Sequence, residues 1–516
     1  MDATAVPNRR SQRLVRGIPA LLYCAGLDAD LSHTLPPQSE PVPQPDPAIP
    51  PVPGFSRALT VLAAVILAGG ILLLANVVFS TPRLERVEDK DRALALIVTR
   101  TMDLEYAIAQ TPAWEHVFYE ATTGWADEMA EARAWYEELA DVSNEPLTLV
   151  YLSVLQGETG RLEKVRDEIK GWEQLPAPFP VYARLLQAAY LDQAQIGADE
   201  AGALRDGLDS EVPDGWFADR LAVSLATQAG DRAWLSEAQD NLAARGEALL
   251  WRARVMLALD LGIILSGILL ALVLRAHFRR DAAALAVGGV VVPPPWPGSV
   301  GAVVLLRGGA LWILAMYAVL SLGDEIVRVV AVPLTYLPLL LLARRHLFQP
   351  AGMGLHEGLG FVPGASGWGR CWRLVGAVAS AGLLGEWAIT LVAEPAGFSS
   401  HWTEGFDEAM IWGDPVKLAS SLAETIVFAP VFEEIVFRGL FFATLRRRFG
   451  FVASALISSS VFAIAHGYGV LGFASVLWSG MLWAWVYERS GSVLPGILAH
   501  MLNNATVCLA VILFLR

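Results

Sequence analysis

The sequence predicts an all-α, polytopic membrane protein that carries an inserted soluble domain of helical hairpins. Hydrophobic residues make up 54% of the 516-residue chain and mean hydropathy is +0.45, too apolar for an ordinary soluble protein. These residues gather in about nine runs of membrane-helix character. Between the first and second runs lies one long polar stretch with a helical pattern throughout. The formal net charge of −14 arises largely outside the apolar runs and gives no support for nucleic-acid binding. Cys24, Cys371 and Cys508 lie far apart, none of them in the polar stretch. That distribution indicates neither a disulfide framework nor a cysteine-based zinc site.

Residues 1–57 read as a disordered tail. Arg9, Arg10, Arg13 and Arg16 make its start basic, and residues 36–53 are dominated by proline. Such a run favours extended polyproline II and builds no core, so a spacer is preferred over a partner-docking motif. The first apolar run, residues 58–79, has the length needed to cross about 30 Å of hydrocarbon. It begins more than fifty residues into the chain and so reads as an internal anchor, with no cleavable signal peptide.

Residues 80–250 carry a faint repeat. Pro112, Pro146, Pro180 and Pro213 recur at about 34 residues, and Gly124, Gly160, Gly197 and Gly230 at a similar interval. That is the tetratricopeptide period, although the residue pattern of that repeat is absent. The stretch is expected to form a TPR-like array of helical hairpins offering a surface to a protein partner. The competing expectation is a plain helical bundle with accidental spacing.

A second membrane helix is expected at residues 255–274, followed by Arg275, His277, Arg279 and Arg280. After a Gly/Pro-rich connector at 288–297, a membrane hairpin is expected at 308–322 and 329–343, with Asp324 and Glu325 at its turn. A further span ends near Ala393, and an acidic loop runs from 394 to 414. The remaining spans are 416–445, 451–467, 470–487 and 493–515, so the membrane core of the chain is residues 300–516. If the spans alternate, the basic clusters at 275–280, 344–345, 370–373 and 446–448 share one side, which the positive-inside rule makes the cytoplasm. The chain is then a multi-pass cell-membrane protein with a cytoplasmic N-terminal tail and an extracytoplasmic repeat domain.

Chemistry concentrates in the last spans. Glu433, Glu434 and Arg438 sit among Ile, Val and Phe in the segment 416–445, where ionisable groups are costly and mark function. Four residues apart on a helix, Glu434 and Arg438 share a face and can pair. Glu433 is rotated away by about 100° and is left available as a base. Phe462 and His466 share a face of the next span, and His500 and Asn504 share one of the last. Glu433 and His466 each lie about 16 residues from Gly450, or roughly 24 Å at the helical rise, so an antiparallel hairpin brings them to one depth.

This arrangement resembles a known family. Glu433-Glu434-x-x-x-Arg438, Phe462-x-x-x-His466 and His500-x-x-x-Asn504 are similar to the three-motif signature of the CPBP family. That family comprises type II CAAX prenyl endopeptidases and bacteriocin-processing relatives. The resemblance covers the last hundred residues well and the spans from about residue 300, but not the tail or the repeat domain. It implies an intramembrane endopeptidase acting on a membrane-associated protein or peptide. Glu433 and His466 would activate the attacking water, and His500 and Asn504 would stabilise the oxyanion. Glu434 and Arg438 would support that centre. Glu433, His466 and His500 also make a conceivable His₂Glu zinc set. The compact His-Glu-x-x-His element of soluble zinc proteases is missing, which favours a metal-independent glutamate mechanism.

Two other classes compete with this reading. One is a non-catalytic scaffold or immunity-type membrane protein, and the other a proton-coupled transporter using the carboxylates. Asp260, Glu325, Arg328, Glu386 and Glu424 are expected to be structural or interfacial.

Overall fold

The computed structural model describes residues 55–123, 127–192, 195–279, 285–321, 325–361, 363 and 367–516. The proline-rich tail lies almost wholly outside them, as do Gly124 and Asp324. Every regular element among the described residues is helical. The protein is an all-α polytopic membrane protein, with 6 helices long and apolar enough to cross a bilayer. They are Arg57–Asn76, Arg232–Phe278, Gly298–Leu320, Gly367–Ala393, Val470–Ser490 and Leu494–Leu515.

Three of the nine expected spans have a different form. The segment at 325–343 is divided into Glu325–Thr335 and Leu337–Ala343, because Pro338 removes a backbone donor and crowds the preceding turn. Phe451–His466 has 16 residues, shorter than the roughly 20 needed to cross on its own. Residues 415–445, the carboxylate helix, form one continuous helical rod whose winding changes along its length. Two stretches, Glu424–Phe428 and Glu434–Phe442, have the wider π-helical turn. Pro430 lies just beyond the first of them and has no N–H to return to an α-helical carbonyl. Such wide turns are frequent at functional sites.

The polar region is helical, as its pattern predicts. Helices begin at Ala113, Pro146, Phe179 and Trp216, each within three residues of a recurring proline. Gly160 and Gly230 sit in left-handed turns behind two of these helices. One core unites the set: Leu94, Tyr136, Leu155, Leu186, Leu221 and Leu242 belong to a single buried cluster. The first long helix, Lys90–Ile108, also packs on the last, Arg232–Phe278, which closes the array on itself. The result is a bundle, and the likeness to tetratricopeptide repeats stays one of spacing.

The boundary expected between this domain and the second membrane span is absent. Residues 232–278 are one unbroken helix of 47 residues, half in the bundle core and half apolar. Its membrane half packs closely on Gly367–Ala393. A Cβ at Gly267 would lie 2.3 Å from the Gly376 carbonyl oxygen and 2.2 Å from Ser380 Cβ. Ser380 Oγ donates to the Ile264 carbonyl at 3.0 Å. Small residues permitting backbone approach are the usual basis of helix association in lipid.

The connector at 288–297 and a second glycine-rich segment, residues 352–361, position the last helix. Val287 and Val290 donate backbone hydrogen bonds to Ser490 and Gly491, and Val493 donates to Leu359. Ser492 Oγ donates to the Gly360 carbonyl at 2.6 Å. Gly360 has φ +70° and lies against the Gly491 carbonyl, so neither its conformation nor its surroundings accept a side chain. The turn that launches His500 is thereby fixed from two sides.

Candidate active site

Four helices converge on the carboxylates: residues 415–445, Phe451–His466, Val470–Ser490 and Leu494–Leu515. Glu434 and Arg438 pair as their spacing predicts. Arg438 Nη1 donates to Glu434 Oε1 at 2.7 Å, and both side chains are buried. Arg438 Nη2 donates to the Gly480 carbonyl at 3.2 Å. The guanidinium also lies over the rings of Phe462 and Trp483, at 4.5 and 5.0 Å. Buried arginine needs such company, because an uncompensated charge in this environment costs several kcal/mol. Gly480 makes the approach possible: a Cβ there would sit 2.9 Å from Arg438 Nη2.

His500 links the two carboxylates. Its Nδ1 lies 3.3 Å from Glu434 Oε1 and its Nε2 lies 3.7 Å from Glu433 Oε2. The imidazole is stacked on Trp483, with centroids 3.9 Å apart and an interplanar angle of 20°. The acidic neighbours differ sharply in access, which separates their roles. Glu434 is 0% exposed, whereas Glu433 is 24% exposed. Glu433 is the carboxylate that a reactant can reach.

His500 is a histidine that the structure places beside Glu433, where the depth argument had turned Glu433 towards His466. His466 is the last residue of its helix, with Nδ1 2.8 Å from the Phe462 carbonyl oxygen. The Phe462 ring lies 4.7 Å from the His466 ring and 6.0 Å from that of His500, so it spaces the two imidazoles. The three motifs do meet around Phe462, but the hairpin argument fixed depth and not rotation.

Asn504 also has a partner outside the motifs. Its Nδ2 donates to the Thr425 carbonyl at 2.9 Å, in the first π-helical stretch. It therefore ties the last helix to the carboxylate helix. Sequence reading missed Tyr336, which stacks on Phe432 at 4.6 Å and 13°. It lies at the break before Pro338, and its stacking partner Phe432 is the residue preceding Glu433. Nothing in local composition marks it, because the contact spans almost a hundred residues.

The proposed zinc set does not fit this geometry. Among the described residues no group of three His, Cys, Asp or Glu side chains is arranged to hold a metal. Both His500 ring nitrogens face carboxylate oxygens, and His466 has Nδ1 on the Phe462 carbonyl oxygen.

The carboxylate helix starts with a firm cap. The N–H groups of Lys417 and Val416 donate to Asp414 Oδ1, at 3.0 and 2.8 Å. These bonds hold the Asp414 carboxyl below its usual range. A depressed folded-state pKa gives stability above the unfolded value of about 3.9 and loses it as pH falls through the folded value. The thermal-stability gap between wild type and Asp414→Asn should therefore change as pH falls from about 5 to below 3.9, to the disadvantage of wild type. A gap constant over that range would exclude the charged cap as its source.

Residues 415–506 match the family model of the type II CAAX prenyl endopeptidase Rce1-like proteins. The matched stretch begins with the carboxylate helix and includes all six site residues. No curated protein and no solved structure matches the chain.

Proposed function

We propose that this protein is an intramembrane endopeptidase in which Glu433 activates water against a peptide bond of a membrane-associated substrate. The observation that carries the reading is the division of labour between adjacent carboxylates. Glu434 is buried against Arg438, while Glu433 remains accessible beside His500. The match of residues 415–506 to an endopeptidase family supports the same chemistry.

In this reading water attacks the scissile carbonyl carbon as Glu433 takes its proton. General-base assistance of this kind contributes roughly 10²–10⁴-fold. His500 offers Nε2–H to the oxygen of the tetrahedral intermediate. Asn504 spends one amide hydrogen on Thr425, which leaves its second to serve the same oxygen. His466, packed on the Phe462 ring, assists in activating the water. Collapse of the intermediate breaks the C–N bond, and the proton held by Glu433 passes to the departing nitrogen. The products are a carboxylate and an amine.

The mechanism uses no metal step. Cleavage in membranes should survive a chelator that strips zinc, whereas loss on chelation and recovery on zinc addition would contradict it. The decisive comparison is wild type against Glu433→Gln in the same membranes. Proton-coupled flux lost in that variant, with no proteolysis in wild type, would favour a transporter. The basic clusters support a cytoplasmic tail and a helical bundle on the opposite side of the membrane.

A further inference from the structure

The acidic loop at 394–414 connects the helical bundle to the candidate site. Trp402 is buried in the bundle's own core cluster. Beside it, His401 Nε2 lies 3.1 Å from Glu138 Oε2. The backbone N–H of Glu88 donates to Glu408 Oε1 at 2.8 Å, and the Arg92 guanidinium lies 4.4 Å over the Trp412 ring. The loop's other contacts are with the membrane core. Ser421 Oγ, on the carboxylate helix, donates to Asp407 Oδ2 at 3.0 Å. Arg516, ending the last helix, donates to the Met410 and Gly413 carbonyls at 2.9 and 3.0 Å.

One contact reaches the site itself. Glu404 Oε1 accepts the Gly469 N–H at 3.1 Å. Gly469 caps Val470–Ser490, so the carboxylate sits where unpaired helix N–H groups favour negative charge. Only Gly467, Tyr468 and Gly469 separate that helix from His466. Gly467 has φ +68°, and the Tyr468 ring lies 5.6 Å from the His466 ring. A three-residue turn this tight passes a displacement at Gly469 directly to His466.

We infer that Glu404 is a positioning residue for His466, and that the helical bundle serves the membrane core by holding Glu404 in place through Trp402. The inference rests on the endopeptidase reading for its catalytic consequence, but not for its mechanical one. Glu404 belongs to none of the three motifs, and its loop lies outside the matched stretch 415–506. The membrane core therefore takes part of its active-site geometry from the rest of this chain.

The test uses the full-length protein in phosphatidylcholine nanodiscs. Diethyl pyrocarbonate modification of His466 is followed by peptide mass spectrometry. Cleavage that depends on Glu433 is followed in parallel, in membranes. Glu404→Ala should raise His466 reactivity several-fold and lower cleavage about tenfold, since small misplacements of a reacting group are expensive. Glu404→Gln keeps the acceptor oxygen and should stay near wild type in both. Trp402→Ala should reproduce Glu404→Ala, and the double variant should be no worse than either. Unchanged His466 reactivity in Glu404→Ala overturns the inference whatever cleavage does. Altered reactivity with wild-type cleavage overturns the positioning role. If wild type itself shows no Glu433-dependent cleavage, the endopeptidase reading fails and the reactivity arm still decides the mechanical link.

Discussion

Arg438→Met should destabilise the folded protein by about 3–5 kcal/mol, because it leaves Glu434 buried without its cation. Glu434 has no solvent to turn to: it is 0% exposed, and its Oε2 has no hydrogen-bond partner. Arg438→Lys should rescue little of this loss. An ammonium cannot make the Glu434 and Gly480 contacts together while covering the Phe462 and Trp483 faces as a planar guanidinium does. Glu434→Gln with Arg438→Met removes both charges, and this double variant should be more stable than Arg438→Met alone. Thermal unfolding of the detergent-purified protein reads the order of stability. Equal stability of Arg438→Met and wild type would contradict a buried pair.

The largest effect on chemistry is expected at Glu433. Glu433→Gln keeps size and polarity but cannot take a proton, so cleavage should fall by roughly 10²–10⁴-fold. Stability should change little, because the side chain is part-exposed and its contact with His500 Nε2 is long, at 3.7 Å. Glu433→Asp should recover part of the activity, limited by the shorter reach to the water. The contrast with Arg438 is the informative feature. One substitution removes the protein and the other removes its reaction. A Glu433→Gln protein as unstable as Arg438→Met would show that both carboxylates are structural.

Much of this architecture was legible in the sequence because lipid allows few solutions. An apolar run of spanning length must satisfy its backbone internally, and a helix does so. The Glu434–Arg438 pair followed from a spacing of four residues, which survives the local π-helical winding. A common depth for the first two motifs was argued from chain lengths on either side of Gly450, and that argument did not reach His500. Rotation about each helix axis was not legible. It depends on packing at Gly480, Gly267 and the Ser490–Val493 turn, and it set His500 beside Glu433. The role of Asn504 was similarly incomplete, because its Thr425 partner lies in a widened turn. Pro430 was the available signal for that turn. The loop at 394–414 looked merely acidic in sequence, yet Trp402 belongs to a core assembled from residues more than 150 positions away. No local pattern encodes such a contact.

The measurement that tests the central claim most directly is a proteome-wide comparison of new N-termini in membranes containing wild type or Glu433→Gln at equal abundance. The account predicts new N-termini within or beside membrane segments of other proteins, present with wild type and absent with Glu433→Gln. Identical sets of N-termini from two equally folded proteins would contradict it.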